Sequence, residues 1–284
     1  MMTKIASATQ LNSWMEDNCD AIKKLKLYEM SLPGAHNCGM DQKAEMHDMW
    51  RTCQSDSFRY QMDNGIRVFD IRIKYYSGLR TGHGEKYRHR HDLDSGRTLH
   101  DTVVAIKEFL GKNPGEFLIL DLHELDSTPG GIPYKELADY LHGELNEKLL
   151  PADASSLTVE QIKKTYPGKT VVIAATSELA VNNWVWPKIM HQWIGQSIVR
   201  ADELGRYIES VMKAPPTGEL WSMSATGYGE IGPTFLENEI DSWYKASGPY
   251  QMKSNIINID WFDRTQLVKN CIKTNVEKAL LLPA

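Results

Sequence analysis

Short apolar runs recur along the chain between breaks marked by Gly and Pro, and their spacing sets the first expectation of fold. Six runs read as strands: Leu27–Ser31, Val68–Ile73, Phe117–Leu122, Thr170–Ala175, Leu220–Ser224 and Ile256–Asp260. Several are almost continuously apolar, as suits parallel strands covered on both faces. Longer stretches between them carry apolar residues at helical spacing. Thr98–Lys112 sets Leu99, Val103, Ile106 and Leu110 on one stripe, and Tyr134–Leu149 and Thr265–Leu281 read the same way. Strands alternating with helices predict an α/β fold. A closed barrel needs eight strands. Arg80–Gly82 and the weaker Ser197–Arg200 are the candidates for the remaining two.

Composition narrows this picture. The 284 residues suit one α/β barrel, which commonly takes about 250. Lys112–Gly115 and Pro215–Gly218 read as turns and not as linkers, so residues 1–284 are expected to form a single domain. A net charge of −5 argues against nucleic acid as a partner. No apolar run approaches the roughly 20 residues that span a bilayer. The opening MMTKIASATQLNSWMED lacks the apolar core of a secretory signal. The chain then stays inside the cell, leaves by another route, or has had a signal removed. Cys19, Cys38, Cys53 and Cys271 show no paired or zinc-type spacing and are expected as free thiols, with a Cys38–Cys53 bridge as the alternative.

Three early strand ends carry reactive groups. Ser31-Leu32-Pro33-Gly34-Ala35-His36-Asn37 runs into a His-Asn pair. In Gly65-Ile66-Arg67-Val68-Phe69-Asp70-Ile71-Arg72, alternation places Asp70 and Arg72 on one face. His83 lies between Gly82 and Gly84. Two imidazoles titrate near neutrality, so one can accept a proton while the other donates one. A guanidinium is a permanent charge suited to phosphate. The set fits phosphodiester cleavage by an internal hydroxyl.

The segments SLPGAHN, NGIRVFDIRI and GHG, in that order, resemble the X-domain of bacterial phosphatidylinositol-specific phospholipase C. NPGEFLILDLHE and NIINIDWF resemble a further strand and the last barrel strand of that family. The likeness covers Leu27–Glu124 and, more loosely, Asn255–Phe262; residues 125–254 are unmatched. It implies an irregular TIM-like barrel and a peripheral enzyme acting on a phosphatidylinositol membrane surface. By the same likeness, His36 takes a proton from the inositol 2-hydroxyl and His83 protonates the departing diacylglycerol oxygen. Arg72 steadies the phosphoryl charge, Asp70 holds that group of charges, and Asp260 orients His36. The bacterial family has Asp where this chain has Asn37, and calcium-dependent relatives have Asn there. Those relatives also have an acidic residue at the position of Arg72. Arg72 is therefore read as a substitute for the metal, with no cofactor expected and calcium as the alternative.

Other residues extend the expected site. Asp121 and His123 share a strand face, with Glu124 opposite, and His123 is a candidate substrate contact alongside Asn37 and Tyr228. Lys86-Tyr87-Arg88-His89-Arg90-His91-Asp92 reads as a cation-rich solvated loop, with contact to anionic headgroups as its functional alternative. Trp184, Trp186 and Trp193 suit either interior packing or a lipid boundary. Competing functions are another barrel phosphodiesterase, acting on glycerophosphodiesters or sphingolipids, and a non-catalytic inositol-lipid binder or toxin component.

Overall fold

A computed structural model of the chain describes residues 10–196 and 198–282. The N-terminal reading up to residue 9, and Ser197 of the weak strand candidate, lie outside the described residues. The strands, in chain order, are β1 (Leu32–Ala35), β2 (Val68–Tyr75), β3 (Tyr87–His91), β4 (Leu93–Thr98), β5 (Leu118–Ser127) and β6 (Val171–Ala175). They continue as β7 (Val185–Pro187), β8 (Met190–Gln192), β9 (Trp221–Ser224), β10 (Tyr228–Gly229), β11 (Gly232–Pro233) and β12 (Ile256–Ile259). Eight of them form one parallel, curled sheet in the order β7-β6-β5-β2-β1-β12-β9-β8. β7 and β8 do not pair among the described residues, so the barrel is open at that seam. The fold is an α/β, irregular TIM-like half-barrel.

Alternation sorts the strand residues into two packed layers. Outward positions such as Phe69, Ile71, Leu120, Leu122, Ile173 and Ile257 belong to one outer core cluster that also takes in Leu99, Val103, Ile106 and Leu110 of the helix Leu99–Lys112. Thr98 caps that helix by accepting from the Asp101 amide, while the Asp101 side chain reaches back to the Thr98 backbone. Inward positions Leu32, Val68, Ile119, Val172, Trp186 and Ile256 fill the barrel interior in a second cluster.

Four expectations need correction. Leu27–Ser31 is not a strand: Leu27–Glu29 forms a 3₁₀ turn, and the strand begins at Leu32. The Asn255 amide binds the Leu27 and Met30 carbonyls and holds the turn. The Pro-Gly signal thus falls inside β1. There a Cβ on Gly34 would lie 3.0 Å from Asn258 Oδ1 and 3.2 Å from Ile256, so close packing against β12 requires Gly. The two missing strands are β7 and β8, not Arg80–Gly82 or Ser197–Arg200; three residues are too short to show a period. Lys86–Asp92 is not a solvated loop. Tyr87–His91 pairs antiparallel with β2 and, through a turn at Asp92 (φ 59°), with β4. The helices Tyr134–Leu145 and Leu267–Leu280 are shorter than their apolar patterns. All four cysteines are free.

Candidate active site

The inward row of each central strand changes from apolar to polar toward its C-terminal end. On β2 it runs Val68, Asp70, Arg72, and on β5 Ile119, Asp121, His123. On β12 it runs Ile256, Asn258 and then Asp260, and on β1 Leu32, Gly34 and then His36. The polar ends converge on a cavity of about 390 Å³ whose walls include His36, Arg72, His91, His123, His191 and Tyr228.

His36 is buried and its Nδ1 lies 2.7 Å from Asp260 Oδ1. Gln54 clamps both strand ends: its amide donates to the carbonyls of His36 and Ile259. Asn37 (φ 43°) and Trp261 (φ 50°), the residues that follow the pair, both adopt left-handed backbone. Such strain persists only where the surroundings over-determine it. Here the Asn37 amide is held by Asp70 Oδ2 at 3.3 Å and the Trp261 amide by the Cys53 carbonyl at 2.8 Å.

Asp70 receives Arg72 in a forked contact, Nε at 3.2 Å and the terminal nitrogen at 3.0 Å, and the Asn258 amide at 3.2 Å. Burial alone would raise the Asp70 carboxyl, but Arg72, His123 and His36 outweigh it and hold it well below the carboxylate range. Glu124 stands 3.8 Å from the other side of the guanidinium. Burial opposes the charge on Arg72, and its acidic neighbours more than restore it.

His83 is not part of this site. Its side chain is 66% exposed and its Nδ1 lies 2.8 Å from Glu136, in a separate groove with Pro133 and Tyr140. The reason is topological. β2 runs on to Tyr75, past Arg72, and His83 sits on the excursion beyond it; only the antiparallel return along β3 brings the chain back to the barrel rim. The second imidazole at the cavity is His91. Its ring stands edge-on to that of His36, centroids 6.2 Å apart. His91 Nδ1 lies 3.0 Å from the Tyr228 hydroxyl, which in turn lies 3.2 Å from Cys53 Sγ. Burial, followed by His36 and Arg72, pushes the His91 imidazole down to about 4. Burial pushes the Cys53 thiol and the Tyr228 phenol far up.

Sequence reasoning therefore missed His91, His191 and Gln54. One signal was present for the first: Tyr87, His89 and His91 alternate with Arg88 and Arg90, which is strand periodicity and not loop composition. The other expected contacts are distributed unevenly. His123 and Tyr228 line the cavity, and Asn37 lies buried behind it, its Nδ2 3.4 Å from His36 Nε2 and its Oδ1 without a partner. Burial raises the Asp121 carboxyl and lowers His123 to about 3. Trp184 and Trp186 are interior, whereas Trp193 is exposed at the cavity mouth with Trp50.

No protein-family model matches the chain. Curated relatives include the human PI-PLC X domain-containing protein 1, 20% identical across 73% of this chain and 70% of its own length. The mouse PI-PLC X domain-containing protein 2 is 22% identical across 96% of this chain and 90% of its own length. Among solved structures, phosphatidylinositol-specific phospholipase C from Staphylococcus aureus superposes with a TM-score of 0.69 at 16% identity, covering 94% of this chain and 98% of that one. The Listeria monocytogenes enzyme of the same name gives 0.68 at 16% identity over 93% and 98%. Sequence similarity and fold agree: the chain is similar to the PI-PLC X domain-containing proteins and shares the fold of the bacterial phosphatidylinositol-specific phospholipases C.

Proposed function

We propose that this protein cleaves phosphatidylinositol, releasing diacylglycerol and a cyclic inositol phosphate, with His36 as general base and His91 as general acid. The observation that carries this reading is the convergence of His36, His91 and the Asp70-paired Arg72 on one cavity. His36 Nε2 takes the proton of the inositol 2-hydroxyl while Asp260 holds the ring through Nδ1. The freed oxygen bonds to phosphorus, and the bond from phosphorus to the glycerol oxygen breaks. His91 delivers a proton to that oxygen. Arg72 faces the phosphoryl oxygens with a charge that needs no metal.

Calcium does not fit beside Arg72. The ion takes about six to eight oxygen ligands. Both Asp70 oxygens are engaged by the guanidinium, and Asn37 Oδ1 is buried behind the cavity wall. The cavity mouth suits a lipid surface: Met49, Trp50, Trp193 and Ile231 are exposed there, and the Gly232 backbone packs on Met49.

The test is product analysis with phosphatidylinositol vesicles. Cyclic inositol phosphate should appear with wild-type protein and with His83→Ala, and should fall at least about 100-fold with His36→Ala or His91→Ala. No turnover by folded wild-type protein overturns the reading. Sphingomyelin or glycerophosphodiester turnover that depends on His36 assigns the site to another barrel phosphodiesterase.

A further inference from the structure

A second set of side chains meets on the wall of the same cavity and takes no part in the proton transfers above. Asp121 and His123 come from β5, where His123 is the extra residue of a bulge: the β2 partners skip from Leu122 to Glu124. His191 is the middle residue of β8, at the opposite end of the sheet order, and reaches them across the barrel mouth. His191 Nε2 lies 2.9 Å from Asp121 Oδ2 and 2.9 Å from His123 Nδ1, and the latter two atoms are 3.9 Å apart.

Hydrogen bonding does not satisfy this arrangement. A ring nitrogen has one in-plane position, which holds either a proton or a lone pair. If His191 Nε2 carries the proton, its two neighbours can only share it in a bent three-centre bond. If Nε2 carries the lone pair, only one neighbour can donate to it along the lone pair. No protonation state gives two linear hydrogen bonds at Nε2. The remaining Asp121 oxygen, Oδ1, is buried and has no partner at all. Three donor atoms crowded around one point are what a divalent ion resolves.

We propose that Asp121, His123 and His191 bind a zinc-class divalent ion on the cavity wall. Two imidazole nitrogens select a borderline transition metal over calcium or magnesium, which take oxygen ligands. With metal–ligand bonds of about 2.0–2.2 Å, the ligand atoms of a tetrahedral zinc site stand about 3.3 Å apart. The separations of 2.9, 2.9 and 3.9 Å bracket that figure, so adjustments of a few tenths of an ångström close the site. Both histidines line the cavity, which leaves the fourth position open to water or to an oxygen of a bound ligand. The nearby Arg72 is already neutralised by Asp70 and Glu124. The other close grouping, His36, Cys53 and Asp260, is a weaker metal site: Asp260 holds His36, and burial keeps the Cys53 thiol protonated.

The test is calorimetric titration of chelator-stripped protein with zinc ions, without substrate, so its outcome is independent of any phospholipase activity. Wild-type protein and His36→Ala should each bind one equivalent. Asp121→Asn and His191→Gln should weaken binding at least about 10-fold, the lower end of what even supporting residues of metal sites cost. Cobalt ions should give the visible bands of a four-coordinate site in wild type and lose them in His191→Ala. Melting curves identify variants that fail to fold, and His123→Gln serves as the replacement. An absence of stoichiometric binding to wild-type protein overturns the proposal. So does binding that survives unchanged in a folded Asp121→Asn, His191→Gln double variant.

Discussion

His36 and His91 face each other edge-on across the cavity, their ring centroids 6.2 Å apart, although one ends a central barrel strand and the other ends a strand of an antiparallel hairpin. His36 is tied to Asp260, and His91 to Tyr228. The asymmetry of those partners is what separates the roles of two otherwise equal imidazoles. A carboxylate fixes the orientation of the ring it holds, whereas a buried ring beside cationic neighbours gives up its proton readily.

His91 should therefore respond to an anionic ligand. Its imidazole is held at about 4 by burial, His36 and Arg72 and is neutral at pH 7 in the free protein. A bound inositol phosphate places negative charge beside it and should raise that value, loading the acid as substrate enters. Nitrogen-15 NMR of the histidine rings, with and without the ligand, measures the shift. A His91 resonance that does not move would remove it from the acid role.

Arg72 should matter where calcium does not. Activity on phosphatidylinositol should survive a calcium-selective chelator, and Arg72→Ala should lose at least about 100-fold, the scale of losing one preorganised electrostatic contact in the transition state. The reverse pattern, with chelator silencing the enzyme and Arg72→Ala retaining rate, would assign the charge to a metal.

Stability should fall on mild acidification because of histidines folded in neutral form. His89 is fully buried against Phe58, with Nε2 2.9 Å from Thr102 Oγ1, and burial lowers it to about 3. Its unfolded value is about 6.5. Between those values the unfolded chain binds a proton that the folded chain refuses, so stability drops as pH falls from about 6.5 toward 3. Each such group contributes at most about 1.4 kcal/mol per pH unit. Denaturant melts of His89→Gln at pH 7 and 5 should show a shallower decline than wild type. Equal declines would place the acid sensitivity elsewhere.

The floor of the barrel rests on a buried ion pair. Arg67 forks onto Glu116 at 2.5 and 2.8 Å, both side chains fully buried, and also donates to the carbonyls of Leu11, Asn12, Met62 and Ile66. Glu116 in turn accepts the Met15 and Glu16 amides. Arg67→Ala leaves that carboxylate buried and unpaired and should cost about 3–5 kcal/mol in chemical denaturation. A loss under about 1 kcal/mol would mean water reaches the pair.

The sequence by itself determined the strand ends that face the cavity. Along a strand the side-chain period is two whatever the fold, so Val68-Asp70-Arg72 must share a face. The same rule joins Ile119-Asp121 and Ile256-Asn258, and each change from apolar to polar marks where the interior meets the open end of the barrel. The helix Leu99–Lys112 was legible for a similar reason, since its stripe and its cap are local. Tertiary structure alone decided which second histidine joins His36. His83 and His91 both follow β2, and local chemistry favoured the glycine-flanked His83. The length of β2 and the antiparallel pairing of Ile73 with His89 carry His83 past the rim and return His91 to it. His191 was equally hidden: a three-residue strand shows no period, and its meeting with Asp121 exists only because the sheet curls until its far edge faces β5.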